Sequence, residues 1–219
     1  MNGTHNIVWV ISTSLQKDKE SAPTPSEFSS YEERKQEYMN GIQSVLQSRV
    51  EGESVYIVEN NGNTESFLDD FGVPVHYTRN QFQPFQNKGR KEMMDIVSCL
   101  DAFGVDSETM VIKTTGRYLL LDDSFPRFVR ENCTQYDVMY RVGSAFQNNT
   151  PSAERSTDDM CTGMYAMRYR YFKQFDPSTV IEFNPVEWFM AKFIKNTIPG
   201  ERRHIVDHLG LRYGVGMDV

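Results

Sequence analysis

Two short segments carry side chains able to grip an anion. The first is Asn87-Lys88-Gly89-Arg90-Lys91, which opens an expected helix. A helix N-terminus carries unpaired N–H groups and a partial positive charge. Lys88, Arg90 and Lys91 oppose that charge, so local helix stability does not account for them. A bound anion would account for them, and a solvated basic turn is the alternative. The second segment is Lys113-Thr114-Thr115-Gly116-Arg117-Tyr118, which closes an apolar run. Its threonines offer hydroxyls, Gly116 permits a close backbone approach, and Arg117 can hold a phosphate with a bidentate fork. Tyr118 offers a flat stacking surface.

Carboxylates are the second kind of candidate. A reaction that deprotonates a hydroxyl needs a base within hydrogen-bond reach. Glu187 is one choice. In Asn184-Pro185-Val186-Glu187 it also fits a capping box with Pro at the first helical position. Asp158 and Asp159 are the alternative, with a solvated loop as their plain reading. Asp123 reads as an N-cap ahead of Ser124-Phe125-Pro126. His204 and His208, four residues apart, would share one face of a helix, as a metal pair or as a solvated helix end.

These residues need a frame. Asn6–Ser12 reads as a buried strand, followed by a polar stretch, Thr13–Ser29. Ser30-Tyr31-Glu32-Glu33 is a capping box opening a helix with Tyr38, Ile42, Val45 and Leu46 on one face. Ser54–Val58 reads as a strand, Thr64–Phe71 as a short helix closed by Gly72, and Val73–Tyr77 as a strand. After the loop Thr78–Gln86, the Asn87 helix presents Met93, Val97 and Leu100 and stops at Gly104. Thr109–Lys113 is the next strand. Strands alternating with helices predict an α/β fold with a mostly parallel central sheet and helices on both faces. Ligands then bind beyond the carboxyl ends of the strands. Thr13–Ser14, Glu59–Asn61, Thr78–Arg79 and Thr114–Tyr118 fall there, and Lys113 closes its strand at that edge. The second half is more irregular: a helix over Ser124–Glu131, strands over Asp137–Val142 and Thr162–Arg168, a loop over Gly143–Asp159, and a helix that begins at Asn184-Pro185 and ends before Pro199-Gly200. The reading is one domain over residues 1–219, with 1–120 as the ligand-binding half and 121–219 as the other half.

Composition removes several classes. The net charge is −7 with no dense basic face, which excludes nucleic acid as the main partner. Cys99, Cys133 and Cys161 are odd in number and form no CxxC pair, which points to a reducing compartment. No apolar run is long enough to span a bilayer, and no signal peptide is evident, so the expected location is cytoplasmic. Three N-glycosylation patterns, at Asn2, Asn132 and Asn148, are then chance matches. P-loop, dinucleotide-binding, nucleophile-elbow and zinc signatures do not occur.

The order strand, helix, strand, helix, strand, Asn-Lys-Gly helix, then a strand ending Lys-Thr-Thr-Gly-Arg-Tyr resembles GT-A (Rossmann-like) glycosyltransferase domains. Small viral and bacterial ones are nearest, such as the capsid-glycosylating enzymes of chlorella viruses, which would act in the host cytoplasm. The likeness is clearest from Asn6 to Tyr118. Farther on, Thr162–Arg168 and Pro185–Phe189 keep the same order of features. The resemblance implies a UDP- or dTDP-linked sugar donor and transfer to a hydroxyl of a glycan or glycoprotein acceptor. By position, Thr13 and Ser14 would line the nucleotide pocket, and Glu59, Asn60 and Asn61 would lie near base or ribose. Asn87, Lys88 and Arg90 would face the diphosphate or donor sugar. Thr115, Gly116 and Arg117 stand where many relatives place an Asp-x-Asp motif for Mn²⁺ or Mg²⁺. That motif is missing here. Arg117 and Lys113 as cationic substitutes, Asp122 or Asp123 as displaced ligands, and Asp207 or His208 as ligands all stay open. Two other functions remain: a non-catalytic glycan- or partner-binding module, and a sugar-nucleotidyltransferase. Against the latter, Thr13–Lys19 holds none of the glycines such enzymes carry there. The aromatic run Tyr165–Phe175 suits either sugar stacking or the core.

Overall fold

The computed structural model describes residues 6–15, 31–143, 155–213 and 217–218. Strand β1 (Ile7–Thr13) is buried along its whole length. Its β-branched, apolar sequence suits a strand covered on both faces. Ile7, Trp9 and Ile11 point to one side and Val8 and Val10 to the other, as the two-residue period of a strand requires.

The chain continues through α1 (Tyr31–Ser48), β2 (Ser54–Glu59), β3 (Val75–Tyr77), α2 (Lys88–Ala102) and β4 (Met110–Thr115). Next come β5 (Leu119–Leu120), α3 (Ser124–Asn132), β6 (Val138–Tyr140), β7 (Met164–Arg168) and α4 (Tyr169–Gln174). The last elements are α5 (Val186–Thr197), β8 (Arg203–Ile205), β9 (Leu211–Tyr213) and β10 (Met217–Asp218). Seven strands form one sheet in the order β3-β2-β1-β4-β7-β6-β8. Every pairing in it is parallel except the two made by β7. A small antiparallel sheet, β10-β9-β5, lies beside it. The α/β reading with a mostly parallel sheet therefore holds, and the second half extends the same sheet.

Two cores sandwich the sheet. Trp9 and Ile11 pack with Tyr38, Ile42 and Val45 of α1 and with Phe125 and Val129 of α3. Val8 and Val10 pack with Met93, Ile96 and Leu100 of α2 and with Val186, Met190 and Ile194 of α5. Strand register aligns the carboxyl ends. Thr13 pairs with Glu59 and Ser12 with Thr115, so β1, β2 and β4 end at one level.

Several local expectations change. The helix expected over Thr64–Phe71 is a 3₁₀ turn, Phe67–Phe71, capped by Ser66 and closed by Gly72 at φ 67°. Asp123 sits at the N-cap of α3 but does not cap it; its carboxylate pairs with Arg127, while Asp122 accepts the Ser124 N–H. His204 lies in β8 against Phe128 and Tyr136, so it shares no helical face with His208. Tyr165, Tyr169, Phe172 and Phe175 are buried, and that aromatic run belongs to the core. The three cysteines are free and buried. Ser30, most of Thr13–Ser29 and most of Gly143–Asp159 lie outside the described residues. Among the described residues, no helix is long and apolar enough to cross a membrane.

Helix α1 crosses the turn after β4 at its own glycine. A Cβ at Gly41 would collide with the backbone carbonyl of Gly116. Backbone cannot swing aside as a side-chain tip can. Gly41→Ala would gain ~1 kcal/mol of helix propensity in an open helix. Here it is expected to destabilise the fold by about 1–3 kcal/mol. Urea unfolding of the two proteins checks the sign; a more stable alanine variant would contradict the packing described.

Candidate active site

A cleft of about 750 Å³ opens over the carboxyl ends of β1, β2 and β4. Its floor includes Ser12, Thr13, Ser14, Asn60 and Thr115, and Arg117 and Tyr118 form one wall. The opposite wall is made by the first turns of α2 and α5, with Asn87, Lys88 and Gly89 next to Pro185, Val186 and Glu187. Gly89 lets these two helix ends touch, since a Cβ there would overlap the Val186 side chain. Two helix N-termini therefore meet at one wall. Their first-turn amides lack intrahelical partners and their dipoles add positive potential.

A charged network runs under the floor. Lys113 Nζ lies 2.8 Å from Glu92 Oε1, 3.0 Å from Thr115 Oγ1 and 2.6 Å from the Thr162 carbonyl. These three acceptors match the three protons of an ammonium. The Lys113 side chain is only 1% exposed. It is thus a buried, neutralised strut with no proton left for a phosphate, which corrects its assignment as a donor-binding cation. Ser12 Oγ donates to the same Glu92 oxygen. Thr162 Oγ1 donates to Glu187 Oε1 at 2.8 Å, so the network ends at a carboxylate on the cleft wall.

Glu187 therefore faces the cleft. The capping alternative is not adopted, because Asn184 makes no side-chain cap on α5. Its carbonyl instead accepts from Asn87 Nδ2. Asn87 is a clamp: Oδ1 takes the Arg90 N–H, capping α2, and Nδ2 lies 2.9–3.2 Å from the carbonyls of Ile181, Glu182 and Asn184. Glu182 returns the contact by accepting from the Gln86 and Asn87 amides. Asn87 lines the cleft, but its side chain is spent on the protein.

The first-turn cations divide. Lys91 donates to the Gln81 carbonyl at 2.6 Å, and the Arg90 guanidinium stacks 3.9 Å from the Phe85 ring centre. Both hold the loop between β3 and α2. Arg90 thus leaves the cleft wall, a correction with a local cause: an aromatic face attracts a cation. Lys88 does line the cleft and is exposed. Glu59 and Asn61 do not line it. Glu59 is fully buried and ties Thr13 Oγ1 and the amides of Leu15 and Asn61. Burial pushes its carboxyl up against those three hydrogen bonds. Asn61 serves its own turn, accepting the Asn63 N–H. Gly116 is enclosed by Thr13, Tyr38 and Ile11, so its close approach is to protein. Asp158 is 89% exposed and paired with Lys195 away from the cleft. Its neighbour Asp159 is the half-buried one, held above the usual carboxylate range by burial and by Glu187. Thr13, Ser14, Thr115 and Arg117 remain in the cleft, with Arg117 3.4 Å from Glu37.

Sequence reading missed Arg34, Tyr38, Glu92, Asp95 and Thr162. Arg34 Nε donates to the Ser14 carbonyl, and Tyr38 Oη receives the Ser14 N–H. Both sit on the buried face of α1, where the Tyr38 spacing was visible but its polar task was not. Asp95 accepts from Asn60, Thr78 and Asn80, joining the loop after β2 and the loop after β3 to α2 at the cleft's end.

Among the described residues the cleft holds no preformed set of metal ligands. Each cleft carboxylate, Glu92, Asp95, Glu182 and Glu187, is already engaged by protein donors. Asp122 is taken by Ser124 and stands 3.9 Å from His208. Among the described residues no three His, Cys, Asp or Glu side chains converge to hold an ion.

No family model matches the chain, and no curated protein matches its sequence. Solved structures do share the fold. One is a protein assigned as a nucleotide-diphospho-sugar transferase from Desulfovibrio desulfuricans, 11% identical, with a TM-score of 0.54 over 92% of this chain and 80% of that one. Another is CMP:2-keto-3-deoxy-manno-octonic acid synthetase complexed with CTP, 15% identical, with a TM-score of 0.54 over 92% and 89%. A third is 4-diphosphocytidyl-2C-methyl-D-erythritol synthase from Anaerococcus prevotii, 7% identical, with a TM-score of 0.53 over 93% and 89%. The chain thus has the Rossmann-like fold of nucleotide-diphospho-sugar transferases and nucleotidyltransferases. None of these three is a viral capsid-glycosylating enzyme.

Asp95 gives the site a pH signature. Burial, aided by Glu92, pushes its carboxyl up to about 6, despite three hydrogen bonds that favour the ionised form. The folded state then holds a proton that the unfolded chain releases near pH 4. The ionised group therefore costs stability above pH 6, and that cost disappears as the pH falls from 6 towards 4. The expected size is on the order of 2–3 kcal/mol. Urea unfolding across this window should show the trend, and Asp95→Asn should flatten it. An unchanged slope in the variant would remove Asp95 as its source.

Proposed function

We propose that the chain is a glycosyltransferase that takes a nucleotide-diphosphate sugar and passes the sugar to a hydroxyl of a glycan or glycoprotein. One observation carries this reading: two helix N-termini, Lys88 and the Arg117 side chain face the same cleft as an unburied glutamate, Glu187. Anions are held well at helix N-termini. The diphosphate belongs against the α2 and α5 first turns, with Lys88 and Arg117 taking the charge that develops as it leaves. The nucleoside belongs over Thr13, Ser14 and Asn60. The carbon–oxygen bond to the diphosphate breaks as a bond to the acceptor oxygen forms. Glu187, held by Thr162, takes the acceptor proton where the reaction inverts configuration, and positions the acceptor where it retains it. The likeness to viral capsid-modifying enzymes rests on the sequence motifs alone.

A sugar-nucleotidyltransferase is the second reading, favoured by the CMP-sugar and diphosphocytidyl synthases among the structural neighbours. The glycine-free Thr13–Lys19 segment weighs against it. Such an enzyme must grip a triphosphate with that loop.

Calorimetry with UDP, UDP-glucose and dTDP-glucose, with and without Mn²⁺, tests the donor site. Binding is expected, and Arg117→Ala should weaken it about 10- to 100-fold, the worth of a charge-assisted contact. Glu187→Gln should keep donor binding but slow donor-sugar hydrolysis by about 10²- to 10⁴-fold. No binding of any of these nucleotides sinks the proposal. Pyrophosphate release from UTP or dTTP with glucose 1-phosphate would replace it with the second reading.

A further inference from the structure

The cleft has an outer rim that the donor reading does not use. Three large apolar side chains close together in sequence are exposed: Ile181 at 60%, Phe183 at 89% and Trp188 at 51%. Phe183 lines the cleft mouth. Trp188 follows Glu187 in the first turn of α5. Val180 and Val186, on either side of the arch, are buried anchors in the core.

This exposure does not come from a loose backbone. Asn87 Nδ2 reaches the carbonyls of Ile181, Glu182 and Asn184, and the Glu182 carboxylate holds the Gln86 and Asn87 amides. The arch is pinned to the α2 N-terminus by its own polar groups, and its apolar side chains are turned outward. Rings on a fixed backbone lose little freedom when they meet a ligand, which favours binding.

We propose that this ledge is the acceptor subsite and that its occupant is a neutral saccharide. The proposal rests on the donor reading above. A sugar ring has a C–H face and a rim of hydroxyls. The negative face of an aromatic ring attracts polarised C–H groups. Carboxylates alternate with the apolar residues here: Glu182 stands between Ile181 and Phe183, and Glu187 precedes Trp188. That alternation supplies hydroxyl acceptors beside the stacking surface. Glu182 and Glu187 each meet their protein donors through one oxygen, and a wholly apolar partner would strip water from the other oxygen of each and offer no donor in return, which is costly. An anionic surface would be repelled by them. A saccharide stacked on Phe183 places its hydroxyls on the side of the cleft where Glu187 stands.

Saturation-transfer difference NMR tests this, using the methyl glycosides of β-glucose, β-galactose, α-mannose and α-fucose in the presence of UDP. The expected result is transfer to the ring C–H protons of at least one glycoside, with affinity falling about three- to tenfold in Phe183→Ala and in Trp188→Ala. Both residues are exposed, so both variants are expected to fold, and circular dichroism confirms it. Calorimetry with UDP on the same samples separates the two claims. Wild-type protein that fails to bind UDP sinks the donor reading alone. UDP binding without any glycoside signal, or a signal equal in both variants, overturns the ledge. A wild-type dimer in sedimentation velocity that Phe183→Ala dissociates also overturns it, since a second copy would then cover the patch.

Discussion

The buried pair between Lys113 and Glu92 is the interaction on which the cleft depends. A lysine that is 1% exposed must find partners for its whole ammonium, because a bare buried charge is far too costly. It finds them on three elements at once: α2 through Glu92, its own strand through Thr115, and the approach to β7 through Thr162. The pair therefore ties α2 to the sheet and to the approach to β7. Losing one partner of such a pair typically costs ~3–5 kcal/mol, because the other charge is left stranded. The same contacts set the site. Thr162 uses its carbonyl on Lys113 and its hydroxyl on Glu187, so the carboxylate on the wall is oriented by the strut under the floor.

Close approach between elements supplies the rest of the geometry. Gly41 lets α1 lie on the turn that carries Arg117, and Gly89 lets the N-terminus of α2 touch that of α5. Gly163 likewise makes room for the Tyr118 ring beside Thr162. At each point the side chain is missing because another element occupies its place. The sheet provides strand ends at one level, and these contacts draw the helices in until their first turns and the β4 turn face one another. A cleft made this way is rigid on its floor and on the α2–α5 wall.

Much of this frame was legible in the sequence because it is written in local periods. The continuous apolar run of β1 and the i, i+4, i+7 spacing in α1 and α2 place apolar residues on buried faces, and the cleft follows from where parallel strands end. The roles of single polar residues were less legible, because they depend on partners distant in the chain. Lys113 reads as an anion-gripping cation until Glu92, 21 residues earlier, is seen to neutralise it. Asn87 reads as a ligand contact at the start of a helix; its amide hydrogens in fact hold a loop some 95 residues on. Arg90 follows a helix cap, and nothing local reveals that Phe85 will sit under it. Glu187 was open between capping and the cleft. The decision came from Thr162, a hydroxyl 25 residues away.

The same engaged carboxylates bear on how an anion is held in an acidic protein. The cleft is lined by four cationic residues, Arg34, Lys88, Lys91 and Arg117, and by four carboxylates. Its formal charge is balanced, and the whole chain is at −7. Long-range attraction would therefore do little to draw in a diphosphate. Three of the carboxylates, however, are turned to protein donors: Glu92 to Lys113, Glu182 to two backbone amides, Asp95 to three side chains. What the walls present towards the space between them is directional: helix first-turn amides, Lys88 and the Arg117 guanidinium, with the Glu187 carboxylate beside them. Under the proposed function, such a site would recognise a phosphate by geometry at contact distance. Specificity for a ligand with donors and acceptors in the right places then comes from the short range of those contacts, and the acidic surface around them disfavours polyanions such as nucleic acids.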